Sequence, residues 1–434
     1  MLPALANNHI NKQWANKLLS GTNLGRYAAS LFVRCKAYFS MSPKTIAIVF
    51  GTRPEAIKMA PVIKELQNRP DEFNVLVVST AQHRHMLDQV LNTFEITPDI
   101  DLNLMTPNQS LSGITQRVLD AVDGVLSQNK VDCLMVQGDT TTAFAAALAA
   151  FYRKVPVAHV EAGLRSRDML NPWPEEANRR LAAVVAGLHL APTSIARDNL
   201  LSESVHPESL VVTGNTVVDA AYWLMERKKT DIPLPDGVPE NKRLMLVTSH
   251  RRESWGTELE NICDAIADLV MQFTDLHVVY PVHLNPNVRS TVQEKLSGID
   301  RVHLTSPMDY LEFVSLLRRS YLVLTDSGGV QEEAPTFGKP VLVLRKVTER
   351  PEASMMGLAR IVGTSRERIV EEASALLTNR TLYHSMSEAD SPYGDGRASQ
   401  RIGTALARWL RSESPVLTES EQFSYGPQLV SVAA

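Results

Sequence analysis

Tyr321-Leu-Val-Leu-Thr-Asp-Ser-Gly-Gly-Val-Gln-Glu-Glu-Ala-Pro335 predicts a buried strand, a tight Ser-Gly-Gly turn and the start of a helix. Two glycines where a strand enters a helix let backbone N–H groups approach a ligand closely. The positive end of the helix dipole favours a phosphate at that point. One turn into the helix, the carboxylate of Glu332 or Glu333 can accept hydrogen bonds from a ribose diol. The stretch therefore predicts a nucleotide diphosphate bound in the second half of a two-lobed α/β protein.

The composition is that of an ordinary globular protein. The chain has 434 residues, of which 44% are hydrophobic and 21% are charged. This length exceeds what one small core needs and predicts two domains. A net charge of -4 argues against a nucleic-acid-binding protein, whose surface is usually basic. No apolar run is long enough to span a bilayer, so we expect a soluble protein with no membrane partner.

Cysteine usage indicates the compartment. The three cysteines show no metal-ligand spacing, so no metal site is predicted. Cys133 and Cys263 lie in apolar patterns, and we expect both to be buried and reduced. Reduced cysteines fit a cytoplasmic location.

The two ends of the chain differ in composition from the rest. Residues 1–40 contain no Asp or Glu but several Lys and Arg, a pattern that a transit peptide shares. We prefer a disordered extension, or an upstream start codon ahead of a beginning at Met41, because the first strand follows directly; this extension is assigned to residues 1–43. Residues 412–434 are rich in Ser, Glu and Pro, and we expect a disordered tail.

Apolar strands alternate with helices twice along the chain. In the first half the pattern predicts strands at 45–50, 73–79, 133–136 and 155–160 and helices at 53–67, 83–94 and 140–152. In the second half it predicts strands at 243–248, 277–280, 302–304, 322–325 and 341–344 and a helix at 258–272. Such patterns are typical of parallel sheets covered on both faces. We therefore predict two doubly wound Rossmann-like domains, at 44–215 and 216–395, that face a cleft. A C-terminal helix at 396–411 is expected to pack back onto the first domain.

Two cations follow the first predicted strand. Gly51 permits a tight turn there, and Arg53 and Lys58 lie near the start of the next helix. Such a pair can bind a phosphate or stabilise its departure. The alternative is a strand-to-helix connection with solvated charges. No G-x-G-x-x-G fingerprint follows this strand, so we predict neither a bound NAD nor another cofactor.

Three carboxylates follow predicted strands of the first half: Asp139, Glu161 and Glu175. In an open parallel sheet the ligand lies at the carboxyl ends of the strands, so these loops can converge on one cleft. Grouped carboxylates can have separated pKa values, which supplies both an acid and a base. The alternative for Asp139 and Glu175 is helix capping.

A histidine beside two arginines follows the first strand of the second half. The arginines disfavour the cationic form of His250 unless a phosphate arrives. That property suits contact with a diphosphate or proton transfer, and the alternative is a histidine in a surface loop. His283 and Arg350 also lie beyond predicted strands, as does the pair Gln82-His83, and their individual signals are weaker.

Eight motifs, in order along residues 44–411, resemble those of the bacterial non-hydrolysing UDP-N-acetylglucosamine 2-epimerases. They are Phe50–Pro61, Thr80–Arg84, Gly138–Thr142, His159–Arg165, Pro172–Arg179, His250–Glu253, Asp326–Pro335 and Pro392–Gly396. The resemblance implies a GT-B fold, a homodimer, and interconversion of UDP-N-acetylglucosamine with UDP-N-acetylmannosamine.

The resemblance also implies roles for individual residues. It implies catalysis by Asp139, Glu161, Glu175 and His250, the last either catalytic or in contact with the diphosphate. It implies substrate contacts by Arg53, Lys58, Arg179, Ser327, Gly328, Gly329, Glu333 and Arg350, with Glu333 on the ribose. Members of the family are often activated by their own substrate, and Gln82, His83 and His283 match positions implicated in that allosteric effect.

The chemistry of the sugar narrows the mechanism. The hydrogen at C2 is not acidic, since no carbonyl adjoins it and no NAD site is evident. Elimination of UDP to 2-acetamidoglucal, followed by readdition after protonation on the opposite face, is a consistent route. Alternatives are a hydrolysing relative that releases free N-acetylmannosamine and UDP, a non-catalytic nucleotide-sugar sensor, and a glycosyltransferase. The sequence leaves open which polysaccharide pathway is supplied and which carboxylate is the base in each direction.

Overall fold

The computed structural model describes residues 42–81, 84–104, 106, 109–227, 232–251 and 254–425. The prediction of an α/β fold with two doubly wound, Rossmann-like domains is confirmed by two wholly parallel sheets. Most of the predicted N-terminal extension, together with Gln82, His83 and residues 426–434, lies outside the described residues.

The N-terminal sheet has seven strands in the order β3-β2-β1-β4-β5-β6-β7. Its strands are β1 (Lys44–Phe50), β2 (Phe73–Ser79), β3 (Ile100–Asp101), β4 (Cys133–Gln137), β5 (Val157–Val160), β6 (Leu188–Ala191) and β7 (Leu210–Val212). The helices between them are α1 (Arg53–Gln67), α2 (Arg84–Thr93), α3 (Leu111–Gln128), α4 (Thr141–Tyr152), α5 (Glu175–Val185) and α6 (Ser194–Ser202), with a 3₁₀ turn at Pro207–Ser209.

The second sheet has six strands in the order β10-β9-β8-β11-β12-β13. They are β8 (Arg243–Thr248), β9 (Leu276–Pro281), β10 (Val302–Thr305), β11 (Leu322–Thr325), β12 (Val341–Val343) and β13 (Ala359–Ile361). The remaining helices are α7 (Thr216–Arg227), α8 (Thr257–Gln272), α9 (Pro286–Leu296), α10 (Tyr310–Arg319), α11 (Gly328–Thr336), α12 (Glu352–Met355), α13 (Arg366–Thr378), α14 (Arg380–Ser387) and α15 (Ala398–Leu410).

Strand β1 shows why the sheets are parallel and buried. Ile46, Ile48 and Phe50 belong to the core beneath α1, while Val49 belongs to the core beneath α3 and α4. A strand that is apolar on both faces needs helices on both sides, and parallel crossovers supply them. The polar loops are thereby left to the carboxyl ends of the strands, where the two sheets face each other.

The chain crosses between the domains twice. The first crossing enters α7, which packs against α1 of the first domain and α11 of the second. The second precedes α15, which packs on α1 and α7. The crossings touch each other, because the Asn215 N–H donates to the Tyr393 carbonyl at 2.6 Å. Asp219 of α7 fixes the start of α15 by accepting hydrogen bonds from the Ala398 N–H at 3.1 Å and the Ser399 N–H at 2.7 Å.

The prediction of a disordered tail from residue 412 is wrong for residues 412–425. Val416, Leu417 and Phe423 are buried, and a 3₁₀ turn forms at Glu419–Glu421. The Phe423 N–H donates to the Val212 carbonyl at 2.9 Å, so the segment covers the edge strand β7. Composition alone pointed to disorder because the few apolar residues that anchor the segment are spaced among polar ones.

Two further features concern only the described part of the chain. Within it, no helix is long and apolar enough to cross a membrane. No group of three or more His, Cys, Asp or Glu side chains there is placed to hold a metal ion. Cys133 and Cys263 are free and buried, and burial raises the pKa of each thiol to about 12.

Replacement of Asp219 tests the link between α7 and α15. Asp219→Ala leaves the buried N–H groups of Ala398 and Ser399 without an acceptor, so we expect the free energy of unfolding to fall by about 1–3 kcal/mol. Urea denaturation measures the change. Asp123→Ala, which removes an exposed carboxylate paired with Arg153, is the control and should have a much smaller effect. Equal effects of the two variants would contradict the assigned role.

Candidate active site

Two cations and two carboxylates form a buried ionic cluster between the domains: Lys58, Glu161, Glu332 and Arg350. Lys58 Nζ pairs with Glu161 and donates to Glu332 Oε2 at 2.9 Å. Arg350 Nε donates to Glu332 Oε1 at 2.5 Å, and Arg350 Nη2 lies 3.8 Å from Glu161 Oε1. Each of the four side chains is at most 9% exposed. Because Lys58 and Glu161 come from the first domain and the other two from the second, the ionic cluster joins the domains.

The charges of the ionic cluster depend on one another. Burial disfavours the cation of Lys58, but Glu161 and Glu332 outweigh it and raise the pKa of Lys58. Burial likewise opposes ionisation of Glu332, but Arg350 and Lys58 hold its pKa below the usual value. Burial, with Glu332 nearby, raises the pKa of Glu161 against the pull of Lys58. Glu161 is therefore the more basic of the two carboxylates, as a proton acceptor needs to be.

Glu161 lies in an unusual backbone conformation directly after β5. Its φ is +63°, in the left-handed region that non-glycine residues rarely occupy. Asn215 Nδ2 donates to Glu161 Oε2 at 3.2 Å and holds the side chain from the first crossing. Such conformations persist where surrounding contacts over-determine them, and they cluster at functional sites. The observation points to a functional role for Glu161.

The other two carboxylates lie near each other where the chain enters α4 and α5: Asp139 precedes the cap of α4, and Glu175 is the first residue of α5. Arg179 Nε donates to Asp139 Oδ2 at 3.0 Å, and Asn178 Nδ2 donates to the Asp139 carbonyl at 3.0 Å. The side chain that caps α4 is Thr140, so Asp139 does not serve as its cap. Burial raises the pKa of half-buried Glu175, and the nearby charge of Asp139 adds to the shift.

The second domain faces these groups with the start of α11. Ser327 precedes the helix, and Gly328 and Gly329 form its first two residues. An added Cβ on Gly328 would lie only 2.6 Å from Arg350 Nη1. The guanidinium therefore packs directly against this glycine, beside the helix N-terminus that favours anions.

Deeper along α11, Glu333 is buried and hydrogen-bonded. The Tyr310 hydroxyl donates to Glu333 Oε1 at 2.7 Å. Burial raises the pKa of Glu333 to about 7, although Tyr310 and nearby cations oppose the shift. Across the cleft, Arg53 Nη2 donates to the Met308 carbonyl at 3.2 Å, so both domains contribute to this end of the site. Burial lowers the pKa of Arg53 against the attraction of Glu333.

His250 follows β8 and lies beside the Ser-Gly-Gly turn. Its backbone N–H donates to Asp326 Oδ2 at 2.9 Å, and its ring stacks on His283 with the centroids 5.6 Å apart. Burial lowers the pKa of His250. His283, which the resemblance connects with activation, is thus in contact with a predicted catalytic residue.

The structure brings almost all of the predicted site residues to one cleft. Gln82 and His83 lie outside the described residues. Sequence reasoning missed the parts played by Glu332, Asn215 and Tyr310. The sequence did contain an indication for Glu332. Adjacent helix positions point about 100° apart, so only one of Glu332 and Glu333 can face the ribose and the other must have a different partner. Nothing local in the sequence connects Tyr310 with a carboxylate 23 residues further on.

Comparisons with known proteins identify the family of the chain. Residues 64–407 match the sequence model of the family described as UDP-N-acetylglucosamine 2-epimerase. A curated UDP-N-acetylglucosamine 2-epimerase from Yersinia pestis is 52% identical over 368 residues, which are 83% of this chain and 98% of the relative. A crystal structure of the Neisseria meningitidis UDP-GlcNAc 2-epimerase bound to UDP-GlcNAc superposes with a TM-score of 0.80 at 48% identity. That match covers 84% of this chain and 100% of the other.

More distant relatives keep the same architecture. The Methanocaldococcus jannaschii UDP-GlcNAc 2-epimerase, solved in complex with UDP-GlcNAc and UDP, matches with a TM-score of 0.72 at 31% identity. The match covers 83% of this chain and 99% of that one. Two doubly wound domains around a cleft of carboxylates and cations define an enzyme of the GT-B fold. The chain belongs to the UDP-N-acetylglucosamine 2-epimerase family and is an isomerase.

The two glycines of the turn allow a matched test. Gly328→Ala forces the Arg350 guanidinium away, so we expect the free energy of unfolding to fall by about 1–3 kcal/mol. In Gly329→Ala the nearest contact of the new Cβ is Glu333 Oε2 at 4.0 Å, so no loss is expected. Urea denaturation of the ligand-free variants measures both. Equal stability of the two alanine variants would refute the packing of Arg350 against Gly328.

The raised pKa of Glu333 predicts a pH dependence of stability. The unfolded carboxyl ionises near 4.5, but the folded one keeps its proton until about pH 7. The folded state therefore binds more protons in this window, and stability falls as the pH rises through it. Relative to Glu333→Gln, we expect the wild type to lose on the order of 3 kcal/mol between pH 4.5 and pH 8.

Urea denaturation at several pH values measures this difference. Tyr310→Phe provides a check, since loss of the hydroxyl donor should move the transition to higher pH. A wild type and a Glu333→Gln variant whose stabilities change in parallel with pH would contradict the assignment.

Proposed function

We propose that the protein interconverts UDP-N-acetylglucosamine and UDP-N-acetylmannosamine by elimination of UDP and readdition, without releasing free sugar. The observation that carries the proposal is the position of Asp139, Glu161 and Glu175. Asp139 follows β4, Glu161 follows β5, and Glu175 begins α5. Arg350 and Arg251 of the second domain lie near Glu161 and Glu175, and Arg179 pairs with Asp139. Family membership and the UDP-GlcNAc bound in the Neisseria relative support this choice of substrate.

The second domain supplies an anchor for the nucleotide. The start of α11 can present its first backbone N–H groups and the positive end of the helix dipole to the diphosphate. Arg350 lies against Gly328, where it can pair with the same group. Glu333 then lies one turn further into the helix, where its carboxylate can accept hydrogen bonds from the ribose hydroxyls. Arg53 approaches this end from the other domain.

Substrate binding would change the partners in the ionic cluster. Without ligand, Glu161 and Glu332 pair with Lys58 and Arg350, and Glu349 also pairs with Arg350 at 2.7 Å. A buried cation needs an anionic partner nearby. The diphosphate is such a partner, so it competes with the carboxylates for Lys58 and Arg350. Glu161 would thereby lose part of its ion pairing and become a stronger base. Its activation is in this way coupled to the arrival of the substrate.

The reaction then requires two proton transfers on opposite faces of the sugar. In the elimination, a carboxylate takes the C2 proton, and the electrons of that bond form the C1–C2 double bond. The C1–O bond breaks and its electron pair leaves with UDP, which the cations stabilise. In the readdition, a second group protonates C2 from the other face and a UDP oxygen attacks C1. Asp139, Glu161 and Glu175 are the candidate groups for these transfers.

Three properties stay predictions. The resemblance implies a homodimer and activation by a second substrate molecule, and the reduced cysteines indicate a cytoplasmic location. For activation, His283 is the predicted residue that the structure describes, and it stacks on His250. An effector that moved the His283 ring would therefore directly displace the His250 ring, which lies at the proposed diphosphate site.

Proton NMR of the purified protein with UDP-N-acetylglucosamine in deuterated water tests the proposal. We expect UDP-N-acetylmannosamine to form and deuterium to enter C2 of both sugars, because each passage through the glucal exchanges the C2 proton with solvent. Free N-acetylmannosamine as the sole product would indicate hydrolysis instead. No exchange at C2, with or without excess substrate, would refute the mechanism.

Carboxylate variants sharpen this experiment. Asp139→Asn and Glu175→Gln should each lower the exchange rate on the order of 10²- to 10⁴-fold, the usual contribution of a general acid or base. Glu208→Gln changes an exposed carboxylate in the 3₁₀ turn before β7 and should leave the rate unchanged. Wild-type rates for Asp139→Asn and Glu175→Gln together would remove both residues from the proposed chemistry.

A further inference from the structure

Asp326 is a fully buried carboxylate at the end of β11, immediately before the Ser-Gly-Gly turn. One of its oxygens organises the loop after β8. Oδ2 accepts four hydrogen bonds, which come from Ser249 Oγ at 3.0 Å, the His250 N–H at 2.9 Å, the Arg251 N–H at 2.9 Å and Ser254 Oγ at 3.3 Å. The hydrogen bonds to Oδ2 therefore hold the loop in place and leave this oxygen no capacity for a further partner.

The other oxygen has a different environment. Among the described residues, which leave out 252 and 253, Asp326 Oδ1 has no hydrogen-bond partner. The ring nitrogen Nδ1 of His250 lies 3.4 Å from it. A buried carboxylate oxygen without a partner is costly, so a small rotation of the ring into hydrogen-bond distance is favourable. Asp326 Oδ1 is placed for that one interaction.

We propose that Asp326 is a positioning residue that keeps the Nδ1 proton on His250 and stabilises an imidazolium when a diphosphate binds at Nε2. With Nδ1–H donating to Asp326, the neutral ring has only a lone pair at Nε2 and cannot donate to a phosphate oxygen. Binding of the diphosphate therefore takes up a proton at Nε2. The inference rests on the diphosphate-binding part of the proposed function and not on the epimerisation step.

The charges around the ring explain why the proton arrives with the ligand. Burial lowers the pKa of His250; Asp326 opposes that shift, while Arg251 and His283 add to it. The effects that lower the pKa outweigh the single carboxylate that raises it. The His250 ring of the free protein is therefore neutral near pH 7. A diphosphate adds a second anion on the other side of the ring, and an opposite charge at that distance favours the cation.

The protonated ring has a consequence for catalysis. It places an N⁺–H donor at a diphosphate oxygen while negative charge accumulates on the departing UDP, where a charge-assisted hydrogen bond is strongest. Asp326 acts only through His250 in this step. Since the ring keeps its proton through elimination and readdition, the isomerisation itself consumes no proton from solvent.

NMR of protein with ¹⁵N- and ¹³C-labelled histidine tests the tautomer directly. Of the 11 histidines, His250 is identified by the signals that His250→Gln removes. We expect the neutral ring of the free protein to carry its proton on Nδ1, and the pKa of His250 to rise when UDP-N-acetylglucosamine binds. A neutral ring in the substrate complex at pH 7, or a free ring protonated on Nε2, would overturn the proposal.

Asp326→Asn separates positioning from folding. The amide oxygen can still accept the loop hydrogen bonds, but its NH₂ group faces Nδ1 and forces the proton onto Nε2. We expect the changed tautomer, a smaller rise in the pKa on binding, and a fall in kcat on the order of 10²-fold. Ser254→Ala, which removes one loop hydrogen bond and keeps the carboxylate, is the control and should keep the wild-type tautomer.

Calorimetry gives an independent readout of the same proton. Titration of UDP-N-acetylglucosamine in two buffers of different ionisation enthalpy counts the protons taken up on binding, and the isomerisation adds none to this count. Ionisation of Glu333 on ribose binding contributes equally to all three proteins, so the comparison between them isolates His250. We expect the wild type and Ser254→Ala to take up about one proton more than Asp326→Asn. Equal uptake in Asp326→Asn and the wild type would overturn the role of Asp326, whereas failure of C2 exchange would leave that role standing and refute only the epimerase mechanism.

Discussion

The ionic cluster of Lys58, Glu161, Glu332 and Arg350 is the interaction on which the arrangement of the site depends. Each charge is buried, and a buried charge is tolerated only with partners close by. The partners lie on opposite domains, so the cluster is complete only when the cleft is nearly closed. A diphosphate offers the cations the same compensation that the carboxylates give them without ligand. In the proposed reaction, domain closure and catalysis would therefore use the same set of charges.

The two domains divide the proposed work. The second domain supplies the helix start and the buried acid that suit a nucleotide, on a sheet whose strands end beside them. The first supplies the carboxylates, on loops that leave β4 and β5 and enter α5. Because both sheets are parallel, their carboxyl ends can face one another and place anchor and chemistry within one cleft. The cations Arg53 and Lys58 are exceptions, since they come from the first domain and are proposed to bind the nucleotide.

The sequence predicted the architecture well because its signals are local. Helix α1 and strands β2 and β8 have the bounds that the apolar patterns indicated. The motifs also named most of the residues that the structure brings close together between the domains. The sequence did not show contacts between distant segments. These are the hydrogen bond from Tyr310 to Glu333, the hydrogen bond from Asn215 to Glu161, and the packing of residues 412–425 against β7. Each depends on which surfaces the fold brings together, and residue type alone does not determine that.

The two crossings between the domains have a mechanical consequence. They lie side by side, joined by the hydrogen bond from Asn215 to Tyr393, so this point is where one domain could rotate against the other with least disruption. Sliding of one domain along the other would break that hydrogen bond. Rotation about an axis that passes through both crossing segments would preserve it. Asn215 also donates a hydrogen bond to Glu161. A rotation at this point would therefore be linked directly to the position of that carboxylate.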